Sequence, residues 1–141
     1  MIEIITGRKG KGKTKYLLEK ANQAMEETRG TICYVDKSTK HMYELNNQIR
    51  LINVYSYPVS SYESFIGFVS GLIAQDYDLD KIYFDSFLTI SKLENDLSRL
   101  SEAISTLYSM SEKFHVSFVL SISLDEADLP EYIKQFVTLS L

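Results

Sequence analysis

Residues 2–14 read IEIITGRKGKGKT, an apolar run followed by three glycines and four basic side chains between Gly7 and Thr14. A basic surface turn would be solvated and would make no demand on the glycines. The spacing here does make one. Gly7-Arg8-Lys9-Gly10-Lys11-Gly12-Lys13-Thr14 fits G-x-x-x-x-G-K-[ST] at every fixed position. Glycine at 7 and 12 admits torsions that a Cβ opposes, so successive N–H groups can turn inward toward phosphate oxygens. Those donors open a helix, whose positive end favours an anion. Lys13 is placed to reach β and γ phosphates, and the Thr14 hydroxyl to ligate Mg²⁺. Arg8, Lys9 and Lys11 add to the local positive field without an individual role. With Gly10 and Lys15 they complete the candidate nucleotide-contacting set.

The rest of the chain supplies the frame for such a loop. Its 141 residues suit one domain, 1–141, with a single sizeable core, and 45% hydrophobic and 24% charged residues are ordinary for a globular protein. A net charge of −4 argues against a surface that coats nucleic acid or anionic lipid, so the basic cluster has a local purpose. The single cysteine, Cys33, excludes an internal disulfide framework and fits a reducing compartment. No basic segment precedes an apolar stretch, and no apolar run is long enough to span a bilayer, so a cytoplasmic location is expected.

Strand and helix patterns alternate, which predicts a parallel sheet covered on both faces. Strands are expected at 2–5, 31–35, 51–55, 81–85, 115–122 and 136–141. A helix over 13–28 carries Tyr16, Leu17, Ala21, Ala24 and Met25 on one side, with Gly30 as a C-terminal cap signal. Ser38 is expected to cap a helix bearing Met42, Leu45 and Ile49. Ser60 to Glu63 reads as a capping box opening a helix with Phe65, Val69, Leu72 and Ile73 inward. Ser91 to Glu94 reads as another, starting the longest helix, striped by Leu93, Leu97, Leu100, Ile104 and Leu107. A short helix is expected near 125–134.

A metal–nucleotide site needs a carboxylate opposite the loop, at the C-terminal edge of a neighbouring strand. Ile82-Tyr83-Phe84-Asp85 supplies it, and Asp85 would hold Mg²⁺ through a water.

With these residues in place, the chain resembles the P-loop NTPases, and most of all the RecA-like and KaiC-type ATPases. Phe84-Asp85-Ser86-Phe87-Leu88-Thr89 is similar to the "IDSLT" wording common there, and the order of elements agrees over most of the chain. The resemblance implies a three-layer P-loop NTPase fold: a mostly parallel sheet of five to six strands between helices, in RecA-like order. The fifth strand would lie between the loop strand and the Asp85 strand. It also implies a water-activating glutamate, and here the sequence departs from the pattern. Ser86, not glutamate, follows Asp85, and the second strand ends Val35-Asp36-Lys37-Ser38, where KaiC-type proteins place paired glutamates. Asp36 is therefore the candidate base beside Lys13, and hydrolysis is expected to be slow or stimulated by another chain. A turn residue before the Ser38 cap is an equal reading of Asp36. Ser121 or Ser123 falls where RecA-like proteins place a polar γ-phosphate sensor.

Glu63 and Glu94 are explained by their capping boxes, and His41 and His115 by surface or strand-edge positions. No N-K-x-D motif is present, which favours ATP over GTP. Three functions follow: a small Mg²⁺-dependent ATPase, a non-hydrolysing ATP-binding module that docks a partner, and a small-molecule or nucleotide kinase. The kinase ranks last because only four arginines, Arg8, Arg29, Arg50 and Arg99, are available to clamp a second anion. The RecA-like resemblance implies a homo-oligomer or a protein partner. Membrane and nucleic-acid partners have no support.

Overall fold

Six segments rich in β-branched and aromatic residues form the strands of one parallel sheet: β1 (Ile2–Thr6), β2 (Thr31–Asp36), β3 (Arg50–Asn53), β4 (Leu79–Phe84), β5 (Ser117–Ile122) and β6 (Val137–Ser140). The computed structural model describes all 141 residues. Strand order is β3-β2-β4-β5-β1-β6, so β5 does lie between the glycine-turn strand and the strand leading to Asp85. The helices between strands are α1 (Lys13–Glu27), α2 (Tyr62–Ala74), α3 (Phe87–Ile90), α4 (Leu100–Phe114) and α5 (Glu131–Lys134). No helix is long and apolar enough to cross a membrane.

The two-residue period of the strands sorts their side chains into two cores. Ile5, Ile32, Tyr34, Tyr83 and Val119 pack beneath α1 with Leu17, Leu18 and Ala21. The larger core lies on the opposite face, where Ile4, Val35, Phe84, Phe118 and Leu120 meet α2, α3, α4 and α5. At its centre the rings of Phe65, Phe84 and Phe87 sit 5.6, 5.8 and 5.9 Å apart in edge-on pairs, a geometry favoured by the ring quadrupole. Register matters for function. Tyr34 pairs with Tyr83 and Tyr83 with Val119, so the next same-face positions, Asp36, Asp85 and Ser121, emerge together at the C-terminal edge.

Several local expectations are corrected. Residues 38–49 form no helix but a series of turns, with Thr39, His41 and Asn46 carbonyls accepting from N–H groups three residues on. Asn22 of α1 holds this segment, donating to the Glu44 carbonyl (2.8 Å) and accepting from Asn46 N (2.7 Å). Asparagine bonds of this kind compete with helical ones. Leu45 and Ile49 are buried as the pattern requires, whereas Met42 is exposed. The cap of α2 is Ser61, whose partner is Ser64: Ser64 N donates to Ser61 Oγ (3.1 Å) and Ser61 N to Ser64 Oγ (2.9 Å). The long apolar stripe is broken as well. Lys92 has φ 64°, a 3₁₀ turn covers Leu97–Arg99, and α4 begins only at Leu100, leaving Leu97 exposed. Strand β3 ends at Asn53, whose side chain accepts from Tyr55 N (3.0 Å) and opens a 3₁₀ turn. Tyr16 is exposed rather than core-facing.

Gly30 is not a left-handed cap, since its φ is not positive. It is glycine for space: a Cβ there would lie 2.1 Å from the Asp78 carbonyl oxygen, which accepts from Thr31 N at 2.8 Å. Gly30→Ala must displace backbone and is expected to lower stability by about 2–3 kcal/mol. Gly67 is its counterpart, exposed within α2 with open space where a Cβ would stand. Gly67→Ala is expected to raise stability by about 0.5–1 kcal/mol through helix propensity. Urea unfolding of the two variants checks the opposite signs.

Candidate functional site

The chain leaves β1 at Thr6 and enters the glycine turn. Gly7 (φ 150°) passes so close to Leu141 that a Cβ would meet its Cβ at 3.0 Å and its carbonyl oxygen at 3.1 Å. Gly10 and Gly12 both have φ 86° with open space around them, so torsion alone requires glycine there. Gly12 is the residue that starts α1. No side chain caps that helix and no acidic residue sits in its first turn, so its positive end opens toward the turn.

Lys13, the first helical residue, is 7% exposed and donates to the Arg8 carbonyl at 3.0 Å, folding its ammonium back over the turn. Burial holds its pKa below the ordinary lysine value, and the charge of Asp85 works against that shift. Thr14 donates to Asp85 Oδ1 at 3.2 Å. Asp85 directly follows β4 and is buried, and its carboxylate is ringed by hydroxyls. Ser121 of β5 also donates to Oδ1 (3.1 Å), and Tyr34 of β2 donates to Oδ2 (2.9 Å). Ser121 in turn accepts from Ser86 N at 2.9 Å, where the chain turns through φ 55° into α3.

Asp36, the last residue of β2, is 3% exposed. Its Oδ1 accepts from Lys37 N at 2.7 Å, while its Oδ2 is buried with no hydrogen-bond partner. Burial, then the nearby charge of Asp85, raises its pKa from 3.8 to about 6. A buried carboxylate oxygen without a donor is rare and unfavourable.

Lys13, Thr14, Asp36 and Asp85 line one cleft of about 690 Å³, within the size range of small-ligand sites. Lys9, Gly10 and Gly12 form one wall, and Lys37, Lys40 and His41 from the turn-rich segment form another. Ser121 and Ser123 both reach it. Ser121 is committed to Asp85, so Ser123 is the serine with no side-chain partner. Of the remaining turn residues, Gly7, Arg8, Lys11 and Lys15 do not line the cleft. Arg8 pairs with Asp125 at 2.7 Å, and Lys11 and Lys15 are exposed.

Two glutamates part company here. Glu63 pairs with Arg99 at 3.0 Å away from the cleft. Glu94 caps no helix; it lines the cleft and accepts from Thr89 Oγ1 at 3.2 Å. His115 ends α4 with φ 57° at a distance from the cleft, and Cys33 is buried. Sequence reasoning passed over Tyr34. Its signal was available in the two-residue period of β2, which sets Ile32, Tyr34 and Asp36 on one face.

No family model matches the chain, and no curated protein matches it at a significant level.

Proposed function

We propose that this cleft binds Mg·ATP and that the protein is a small P-loop ATPase of RecA-like type. One observation carries the reading: α1, β4 and β2, three separate parts of the chain, bring Lys13, Thr14, Asp85 and Asp36 to a single cleft beside a glycine turn. The donor set suits Mg²⁺, a hard cation that keeps several waters and takes one or two protein oxygens besides substrate phosphates. Thr14 and Asp85 are the residues that would hold it. When bound there, the ion would supply neutralisation of charge on the transferring phosphoryl group.

The chain's own residues divide the remaining work. Backbone N–H groups at the start of α1 orient the phosphates. Lys13 exchanges its Arg8 carbonyl for phosphate oxygens and stabilises their developing charge. Asp36 takes the proton of the attacking water. The water oxygen forms a bond to the γ phosphorus, the bond from phosphorus to the β-phosphate oxygen breaks, and the electron pair leaves with ADP. A carboxylate with a pKa near 6 is ionised at neutral pH and is a better base than an ordinary aspartate.

A second reading has its own observation: Ser86 stands after Asp85 where the RecA-like pattern has a glutamate. In that reading ATP binds without turnover and its occupancy gates docking to a partner. Steady-state phosphate release from Mg·ATP, with Lys13→Ala as control, separates the two. Turnover above the control supports the ATPase. Release equal to the control with ATP binding intact supports the docking module, and absence of ATP binding defeats both.

A further inference from the structure

Tyr34 belongs to neither the glycine turn nor the carboxylate pair, yet its hydroxyl is the one donor to Asp85 Oδ2 (2.9 Å, fully buried). The other oxygen, Oδ1, receives Thr14 at 3.2 Å and Ser121 at 3.1 Å. The ring is held firmly. It lies in the α1-side core, 0% exposed, nearly parallel to Tyr83 with ring centres 6.3 Å apart. Tyr83 is itself tied to α1 by a hydrogen bond to the Lys20 carbonyl at 3.3 Å. A carboxylate bonded on only one oxygen can swing about its Cβ–Cγ bond. Bonded on both, it presents a fixed plane.

We infer that Tyr34 is a positioning residue that fixes the Asp85 carboxylate from behind, so that Oδ1 stays beside Thr14 for the divalent cation. The inference rests on the Mg·ATP reading above and names the residue that tunes its metal half. Partners that orient a metal-holding carboxylate typically change metal affinity 10- to 100-fold when removed. The Tyr34 hydroxyl bonds Asp85 and makes no hydrogen bond to the glycine turn, so metal-free ATP binding should not feel the change.

The test is an equilibrium titration of ATP into wild type and Tyr34→Phe, once with Mg²⁺ and once with EDTA. Tyr34→Phe is expected to cut the Mg²⁺-dependent gain in ATP affinity about tenfold and to leave affinity in EDTA unchanged. Tyr83→Phe, which also removes a phenol hydrogen bond on this face, a part-buried one, should leave that gain intact. Equal weakening in Mg²⁺ and EDTA would mean a merely structural role and would overturn the inference, as would an unchanged gain. If Tyr34→Phe does not fold, the buried hydroxyl proton of Tyr34 in wild type carries the test by NMR. It should shift when Mg²⁺ joins bound ATP, and a fixed resonance overturns the inference. Wild type with ATP affinity that Mg²⁺ does not improve would instead defeat the metal half of the proposed function.

Discussion

Lys13→Ala is expected to weaken Mg·ATP binding about 100-fold, equivalent to ~2.7 kcal/mol, without lowering the stability of the fold. The loss follows from removing a charge-assisted contact to phosphate. The second half of the expectation comes from burial. Lys13 is 7% exposed, and burial above all holds its pKa below the ordinary lysine value. A lysine with a lowered folded pKa is a charge the folded state tolerates poorly at every pH below that value. Deleting it removes that strain, and the Arg8 carbonyl keeps a second donor, Lys11 N, at 3.3 Å. Calorimetric titration of ATP reads the affinity, and thermal unfolding reads the stability. A fall in both together would make Lys13 a brace for the turn rather than a ligand-binding group.

Asp36→Asn should cut turnover by about 10²–10³ while leaving ATP affinity near the wild-type value, because a base acts on the proton transfer and not on the phosphates. Its effect on stability has the opposite sign. The folded-state pKa of about 6 lies above the ordinary 3.8. Below 3.8 both states carry the proton and the group is neutral with respect to folding. Between 3.8 and about 6 the unfolded chain releases its proton while the folded protein keeps it, so stability falls as pH rises through this window. Above about 6 the unfavourable contribution is complete, on the order of 2–3 kcal/mol. Asp36→Asn should therefore stabilise the protein at pH 7.5 more than at pH 4.5, as read by urea unfolding at the two values. For wild type, kcat/KM should climb with pH up to about 6 and then level, and Asp36→Asn should lack that rise. A group that impairs folding and aids turnover is the expected signature of a functional carboxylate.

Much of this was legible because the signals were periodic or glycine-specific. The apolar run 2–5, the glycine turn and the helix from Lys13 fall where the sequence set them, since torsional requirements at Gly10 and Gly12 are local. Asp85 and Asp36 were legible as carboxylates ending apolar strands, and the order β4-β5-β1 agrees with the resemblance. What failed were helices read from spacing alone. Leu45 and Ile49 are buried at helical spacing, but Asn22, distant in sequence, holds Glu44 and Asn46 in turns. The stripe from Leu93 to Leu107 is buried at both ends, yet the positive φ at Lys92 precedes it and the turn at Leu97 divides it. Ser61 took Ser64 rather than the Ser60–Glu63 pairing because the box closes through whichever hydroxyl stands at the third helical position. Gly30 misled for a related reason: its requirement is space against Asp78, which lies 48 positions along the chain. The Asp85 hydroxyl ring needed the register of three strands, and no single stretch carries that.

The most direct test of the central claim is calorimetric titration of ATP, with Mg²⁺ present, into the wild-type protein and Lys13→Ala under the same conditions. One saturable site is expected in wild type, and about 100-fold weaker binding in the variant. Absence of binding in wild type, or equal affinity in the two proteins, would contradict it.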